Sequence, residues 1–128
     1  MRLLLDTHAL IWWWMDDPIL PTDARAAMTD TANHVFVSAA TGWEMATKVR
    51  KGQLPKMRDR MPVFDDDVVQ DGFRHLAITS AHGVRGGSLV GDHKDPFDRL
   101  IAAQALIEDL TVITRDREIA AFGCKVLW

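Results

Sequence analysis

Short apolar runs alternate with stretches of helical periodicity along the whole chain, and this alternation constrains the fold more than any other feature. The strand-like runs lie at residues 2–5, 35–37, 76–78, 111–114 and 125–127. Parallel strands need a crossover connection, usually a helix, whereas antiparallel strands can be joined by tight turns. Strands separated by helices therefore favour a parallel sheet with helices on both faces. The sequence predicts an α/β fold with three α/β/α layers and a mainly parallel central sheet.

The predicted helices are bounded by capping residues and by proline or glycine. Asp95 is a natural N-cap, and Pro96 suits the first position of the helix that follows it. Thr22 is expected to cap a helix that runs to about residue 30, and Gly52 to end a helix over 39–50. Further helices are predicted at 7–15, at 63–74, from Thr79 or Ser80 to Gly86–Gly87, and at 117–121, with a loop or short turn at 53–62.

The chain has 128 residues without an internal repeat, a low-complexity tract or a linker, so we expect a single domain over 1–128. Its only cysteine, Cys124, excludes an intrachain disulfide and a zinc site built from several thiolates. The apolar stretch Ala9–Met15 is too short to span a membrane, so a cytoplasmic location is expected. A net charge of −3 means that any nucleic-acid binding must depend on a local basic region.

Four acidic residues stand at positions where an acid is a poor choice for packing. Asp6 and Asp116 follow strand-like apolar runs, while Glu44 and Asp98 fall in the opening turns of predicted helices. In a parallel α/β fold, the carboxyl ends of the strands and the starts of the helices meet along one edge of the sheet. We therefore expect the four carboxylates to converge there.

Converging carboxylates would repel one another by roughly 3 kcal/mol per pair at ~5 Å and an effective dielectric near 20. Such a cluster indicates a hard divalent cation, with Mg²⁺ or Mn²⁺ the natural choices for oxygen ligands. Each acid also has a plain structural interpretation. Asp6 and Asp116 are suited to capping helices, Asp98 to the dipole of its helix, and Glu44 to a solvated position. The hypothesis depends on their joint placement along one sheet edge.

The order and spacing of four stretches carry a resemblance to a known family. These stretches are Leu3–Leu10, Ser38–Glu44, His93–Ala105 and Thr114–Asp116. Together they resemble PIN-domain proteins, and most nearly the VapC-type ribonuclease toxins of bacterial toxin–antitoxin pairs. The resemblance runs from Asp6 to the terminal Trp128.

This resemblance implies an acidic quartet, Asp6, Glu44, Asp98 and Asp116, that is both catalytic and metal-binding, with Mg²⁺ or Mn²⁺ as cofactor. It also implies an RNA substrate, a homodimer and inhibition by a cognate antitoxin protein. Hydrolysis of a phosphodiester needs an activated water and charge stabilisation at the phosphate, which acids supply only with a cation. We expect Asp6 and Asp98 to bind the principal ion, and the other two acids to complete the site through water or a second ion.

Several neighbours of the quartet have two interpretations. Thr7 and Thr114 are suited to supporting a carboxylate or the phosphate by hydrogen bonds, and equally to capping or packing. Asp95 is interpreted as a helix cap rather than as a ligand. For His93 we favour a structural hydrogen bond over contact with substrate. Arg99 is expected either to pair with an acid at the edge of the site or to meet phosphate.

The segment Lys48–Arg60 carries six cationic residues and one acid, a net charge of +5. Because it follows the helix of Glu44, it is interpreted as a surface beside the site that attracts an RNA backbone. A solvated basic face is the alternative.

Three consecutive tryptophans, Trp12, Trp13 and Trp14, point in different directions if they are helical. At least one is therefore expected to be exposed in the monomer, and exposed tryptophans often anchor interfaces. This favours a dimer or antitoxin contact, with core packing as the alternative for two of the three.

Other functions remain as alternatives. A housekeeping PIN-type nuclease would have the same site, and a neighbouring antitoxin reading frame would separate the two. A receiver domain needs an aspartate at the end of the third strand, where Thr79 and Ser80 stand. A dehalogenase-like phosphatase needs an acid two residues after Asp6, where His8 stands. A non-catalytic partner-binding module would be insensitive to EDTA.

Overall fold

The central sheet of the computed structural model, which describes residues 1–128, has five strands in the order β3-β2-β1-β4-β5. All of the pairings are parallel. The strands are β1 Arg2–Leu5, β2 His34–Ser38, β3 Arg74–Leu76, β4 Thr111–Ile113 and β5 Val126–Leu127. At the centre, Leu5 pairs with Val37 on one side and with Ile113 on the other, so three strand ends lie level. The predicted parallel sheet is confirmed.

Seven α-helices and one 3-10 helix connect the strands. The α-helices are α1 Thr7–Trp14, α2 Thr22–Thr29, α3 Ala39–Arg50, α4 Phe64–Gln70, α5 Ser80–Ser88, α6 Pro96–Glu108 and α7 Arg117–Ala121, and the 3-10 helix is Pro55–Val63. Asp95 caps α6 as predicted, because its Oδ1 accepts the N–H groups of Phe97 at 2.9 Å and Asp98 at 3.3 Å. No helix is both long enough and apolar enough to cross a membrane.

The two faces of the sheet carry separate hydrophobic cores, which confirms the three-layer architecture. Leu3 and Leu5 pack with residues of α1, α2 and α4, whereas Leu4 packs with residues of α6 and α7. This division follows from the period of two in a strand, which sends successive side chains to opposite faces. The buried run in β1 is thus apolar throughout because both faces of the sheet are covered by helices.

Several predicted boundaries are wrong at the edge of the sheet. The third strand is Arg74–Leu76 instead of 76–78, and the helix before it ends at Gln70 instead of residue 74. The helix ends because Gly72 takes a φ of +80° that only glycine adopts readily. β3 is an edge strand whose pairing with β2 places exposed polar residues in the ladder, so its hydrophobicity does not reveal it. The predicted loop over 53–62 is largely the 3-10 helix, and Pro21 rather than Thr22 occupies the N-cap of α2.

The prediction that one of the three consecutive tryptophans is exposed is wrong. All three are half-buried, because each ring meets a different aromatic partner. The ring centroids are 5.6 Å apart for Trp12 and Trp128, 5.6 Å for Trp13 and Phe73, and 5.4 Å for Trp14 and Phe64. The indole N–H groups of Trp13 and Trp14 both donate to Asp71 Oδ2, at 3.1 and 2.8 Å. The three tryptophans therefore hold α1 against the elements packed around it, and a dimer or antitoxin contact through them stays a prediction.

Candidate active site

The four predicted acids line one cavity of about 460 Å³ at the carboxyl edge of the sheet. Asp6 follows β1, Asp116 follows β4 and forms the N-cap of α7, and Glu44 and Asp98 lie in α3 and α6. The full lining is Asp6, His8, Trp12, Glu44, Lys48, Asp95, Asp98, Arg115, Asp116 and Arg117. This convergence is the arrangement that parallel topology produces at strand ends.

Asp6 is 5% exposed, and its two carboxylate oxygens have different surroundings. Oδ2 accepts a hydrogen bond from Thr114 Oγ1 at 2.8 Å, whereas Oδ1 is buried without a partner. Burial raises the pKa of this carboxyl, and the nearby charge of Glu44 acts in the same direction. Asp6 occupies the N-cap position of α1, but its side chain accepts no capping hydrogen bond. The capping interpretation of this acid is therefore wrong.

Glu44 is 4% exposed, so the interpretation of a solvated glutamate is wrong as well. Its Oε2 lies 2.8 Å from the ammonium of Lys48, one helical turn further along α3. Oε1 is buried and has no partner. Glu44 and Asp6 thus share a property: one oxygen is held by a neighbouring side chain, and the other is left unpaired.

Asp98 lies in the first turn of α6, with Oδ2 at 2.8 Å from His93 Nε2. Burial raises the pKa of Asp98 to about 7, against the lowering effect of the His93 hydrogen bond and with the charges of Asp6, Asp95 and Glu44. Burial opposes the charged form of the His93 ring, but the hydrogen bond and charge of Asp98 outweigh it and raise the pKa of His93. The two pKa values are therefore raised for different reasons, by burial for Asp98 and by the Asp98 carboxylate for His93.

Asp116 performs two structural roles at the mouth of the cavity. Its Oδ1 accepts the N–H of Glu118 at 2.8 Å and so caps α7, as the capping interpretation expected. Its own N–H donates to Thr114 Oγ1 at 2.9 Å, and that hydroxyl donates to Asp6. Thr114 thus connects two of the four acids, in the supporting role considered for it. Thr7 instead makes a buried hydrogen bond to Thr41 at 3.1 Å.

His93 belongs to the acidic cluster more closely than its sequence indicated. One ligand atom each of His93, Asp98 and Asp116 lie within 4.8 Å of one another. Its Nδ1 also meets the Glu118 carboxylate. The histidine stands five residues before Asp98, outside the helix, in an irregular segment that brings its ring onto the carboxylate. No periodic signal in the sequence marks this contact.

The role of Arg99 differs from both predictions made for it. Its guanidinium donates to the backbone carbonyls of Gly86 at 2.9 Å and His93 at 2.8 Å, and also to the carbonyl of Leu89. It pairs with no acid of the site. Arg99 therefore holds the loop between α5 and α6 in place, and with it the backbone of His93.

Cationic side chains surround the acids. Lys48 is the only member of the basic segment 48–60 that lines the cavity, while Arg60 is held by Asp67 at 3.1 Å. Arg115 lies over the ring of Trp12 at 4.7 Å from its centroid, and Arg117 lines the same opening. Neither arginine was singled out from the sequence, although both flank Asp116. The cavity thus has acidic walls and a basic rim.

The residues present fit a hard divalent cation. The donors are carboxylate oxygens, which Mg²⁺ and Mn²⁺ favour. Two of these oxygens, Asp6 Oδ1 and Glu44 Oε1, are buried in the wall of the cavity without a hydrogen-bond partner. A buried charge without a partner is costly, and a bound cation would remove that cost.

Comparison with known proteins adds independent findings. The family model described as the PIN domain matches residues 3–123. Among curated proteins, none matches this chain.

Solved structures share the fold at low sequence identity. One is VapBC2 from Rickettsia felis bound to a DNA fragment from its promoter, with a TM-score of 0.71, 15% identity, and coverage of 99% of this chain and 98% of that chain. VapBC-1 from nontypeable Haemophilus influenzae matches with a TM-score of 0.65 and 16% identity over 99% and 97% of the two chains. A toxin–antitoxin complex from Klebsiella pneumoniae matches with a TM-score of 0.63 and 21% identity over 98% and 96%.

Proposed function

The chain belongs to the PIN-domain family, and on this premise we propose that it is a metal-dependent endoribonuclease that acts as the toxin of a type II toxin–antitoxin pair. One observation carries the proposal. The buried acids Asp6 and Glu44 each keep an unpaired oxygen in a cavity that Asp98 and Asp116 also line. A purely structural acid in such a place would be paired or replaced by an apolar residue.

Asp6 and Asp98 would hold the principal Mg²⁺ or Mn²⁺ ion, and Glu44 and Asp116 would complete the site. When bound, the cation would supply positive charge at the phosphate and make a nearby water more acidic. The supporting residues orient the acids for this task. Thr114 engages Asp6 Oδ2, Lys48 engages Glu44 Oε2 and His93 engages Asp98 Oδ2. Such outer hydrogen bonds fix the direction in which a ligand oxygen points.

The basic rim gives the substrate backbone a place to bind. Lys48, Arg115 and Arg117 line the opening, and a guanidinium or ammonium group pairs well with phosphate oxygens. Arg115 is held against Trp12, so little side-chain freedom is lost when it binds. These cations would guide a polyanion over acids that would otherwise repel it. The overall charge of −3 is compatible with this role because Lys48, Arg115 and Arg117 supply a local group of cations at the cavity.

The toxin assignment is supported by the neighbours in fold, which are complexes of the VapBC type and a toxin–antitoxin complex. We infer a cognate antitoxin as the protein partner of this chain. The homodimer, the cytoplasmic location and the single-domain organisation over 1–128 remain predictions.

The test is cleavage of a mixed RNA pool in Mg²⁺, in Mn²⁺ or in EDTA, followed by mapping of the new ends. Wild-type protein should cleave only with a divalent cation. Asp6→Asn, prepared free of wild-type protein, should lose at least about a hundredfold in rate, because it removes the charge of one of the two acids proposed to hold the principal ion. Asp23→Asn is the matched control, since Asp23 is an exposed acid in the first turn of α2.

Cleavage that persists in EDTA would contradict the metal dependence, and full activity of Asp6→Asn would contradict the site. Co-expression with the product of a neighbouring small reading frame tests the toxin assignment. Suppression of both cleavage and growth arrest would support an antitoxin, whereas no effect would favour a housekeeping nuclease.

A further inference from the structure

Trp43 is the one exposed aromatic side chain among the tryptophans and phenylalanines of this protein. It is 58% exposed, whereas every other member of that group is half-buried or buried. An exposed tryptophan presents a large flat surface that water solvates poorly. The sequence drew attention to the three consecutive tryptophans in α1, but in the structure the exposed tryptophan is Trp43 in α3.

The position of Trp43 links it to the acidic site. Trp43 precedes Glu44 in α3, and Phe97 precedes Asp98 in α6. The rings of Trp43 and Phe97 meet edge to face, with centroids 4.7 Å apart and planes at 80°. Successive helical residues are about 100° apart, so each helix turns its acid into the cavity and its aromatic onto the adjoining surface. The aromatic pair therefore joins α3 to α6 directly beside two walls of the cavity.

Contact with Phe97 restrains the Trp43 ring, so a ligand that stacks on it need not order a mobile side chain. The same face of α3 continues with Ala46, Thr47 and Arg50, at three, four and seven residues beyond Trp43. Ala46 and Arg50 are exposed and Thr47 is half-buried. One flat ring is therefore followed by small side chains and then by a guanidinium.

This composition favours an unpaired nucleobase over a protein partner. A protein interface needs a wide, contiguous apolar core, whereas this face of α3 carries one ring followed by small or charged side chains. Single-stranded nucleic acid is bound by aromatic rings that stack bases and by cations that meet the backbone. Trp43 and Arg50 offer both kinds of contact along one face of α3, the helix that also carries Glu44 and Lys48 of the cavity.

We infer that Trp43, restrained by Phe97, is a stacking platform for an unpaired base of the RNA next to the cleaved phosphate. This inference rests on the proposed function, since it assigns a substrate-positioning residue to the same site. Trp43 positions the substrate and takes no part in the chemistry. The aromatic pair would hold the base outside the cavity while the flanking phosphate enters it.

Binding should be measured first, by fluorescence anisotropy of a labelled single-stranded RNA in the Asp6→Asn background, where cleavage is expected to be slowed at least about a hundredfold. Removing Trp43 as Trp43→Ala or Trp43→Leu should weaken binding about tenfold or more, the range of one stacked base. Trp43→Leu keeps an apolar side chain against Phe97, so a loss of binding in this variant can be distinguished from a folding defect. Trp43→Phe should stay within about threefold of the parent, because it keeps a ring. Val69→Ala, an exposed apolar residue in α4, is the control and should have no effect.

A second measurement identifies the stacked base. An abasic nucleotide placed at each position around the cleavage site should weaken binding at one position by the same factor as Trp43→Ala, and the two changes together should lose no more than either alone. Base-paired RNA should bind the parent and Trp43→Ala equally. Cleavage by the otherwise wild-type Trp43 variants should keep its dependence on the divalent cation.

The possible failures are distinct. If wild-type protein cleaves no RNA but the binding depends on Trp43 as described, the proposed function fails and the platform stands. If Trp43→Leu binds and cleaves single-stranded RNA like the parent, the platform is disproved. If Trp43→Leu binds RNA like the parent but no longer self-associates in light scattering, the surface around Trp43 binds a second copy of the chain. The inference is then wrong.

Discussion

The buried polar side chains of this molecule fall into two groups that differ in how completely their atoms are paired. Ser38 Oγ accepts the N–H of Ala40 at 3.0 Å and donates to Gln104 Oε1 at 2.5 Å, while Gln104 Nε2 donates to the carbonyl of Ala77 at 3.2 Å. At the cavity, Asp6 and Glu44 are as deeply buried, yet each keeps an unpaired oxygen.

This difference in pairing distinguishes buried polar residues that support the fold from those that are left available to a ligand. The Ser38–Gln104 network connects β2, the start of α3, α6 and the segment after β3, and it satisfies its own polar atoms. At the cavity, Asp6 and Glu44 each pair only one of their two carboxylate oxygens. Each buried unpaired atom costs about 1–3 kcal/mol. A fold that tolerates this cost at one edge, and avoids it in its other buried polar residues, reserves that edge for a ligand.

The largest effect on stability is expected in the Ser38–Gln104 network. Gln104→Ala leaves a cavity and removes the partners of Ser38 Oγ and the Ala77 carbonyl, so the free energy of unfolding should fall by about 3 kcal/mol. The measurement is urea unfolding, with the exposed Gln70→Ala as control. The RNA cleavage rate per folded molecule should change little. A stable Gln104→Ala protein that cleaves poorly would erase the distinction between the two groups.

A smaller effect of opposite sign is expected at the cavity. In EDTA, Asp6→Asn should raise the free energy of unfolding by about 1 kcal/mol, because the buried charge is lost while its amide oxygen can still accept from Thr114. Thermal unfolding with Mg²⁺ or Mn²⁺ provides the sharper comparison. The cation should stabilise the wild-type protein and leave the variant unchanged. If Asp6→Asn is destabilised in EDTA, Asp6 contributes to stability like the residues of the paired network.

The smallest effect is a dependence of stability on pH in EDTA. The pKa of Asp98 is raised from 3.8 to about 7, so the folded protein binds this proton more tightly than the unfolded chain does. The free energy of unfolding should therefore fall as the pH rises from about 4 towards 7, and level off above that. The raised pKa of His93 also lowers the stability as the pH rises, but over a window that begins near its ordinary value of 6.5. Partial exposure of Asp98 screens the effect and keeps it small.

Asp98→Asn isolates this contribution. The difference in unfolding free energy between wild-type protein and the variant should shift in favour of the variant as the pH rises across that range. A difference that is constant with pH, measured by urea unfolding at fixed ionic strength, would contradict the raised pKa.

The sequence predicted most of the fold because strands and helices depend on local periodicity and capping. The runs at 2–5 and 111–114, and the cap at Asp95, needed no knowledge of distant residues. The edge strand β3 was misplaced because its ladder residues are polar and exposed, and the pairing with β2 overrides their weak pattern.

The candidate site, like the fold, could be predicted from the sequence only in part. The placement of acids after strands and at helix starts was visible along the chain, and parallel topology then required them to lie at one edge. The irregular segment that brings His93 onto Asp98, and the arginines at the rim, were not visible in the sequence. Arg99 was misjudged because its partners are backbone carbonyls, which no side-chain pattern reveals.

By itself, then, the sequence determined the alternating elements, the parallel sheet and the four positions from which carboxylates reach its carboxyl edge. Only the tertiary structure decided which of their oxygens stay unpaired, which tryptophans are covered, and that Trp43 is left open beside the cavity. The physical reason is the separation along the chain over which each kind of interaction acts. Periodicity and capping act over a few residues, whereas burial and the pairing of polar atoms depend on segments that meet only after the chain has packed.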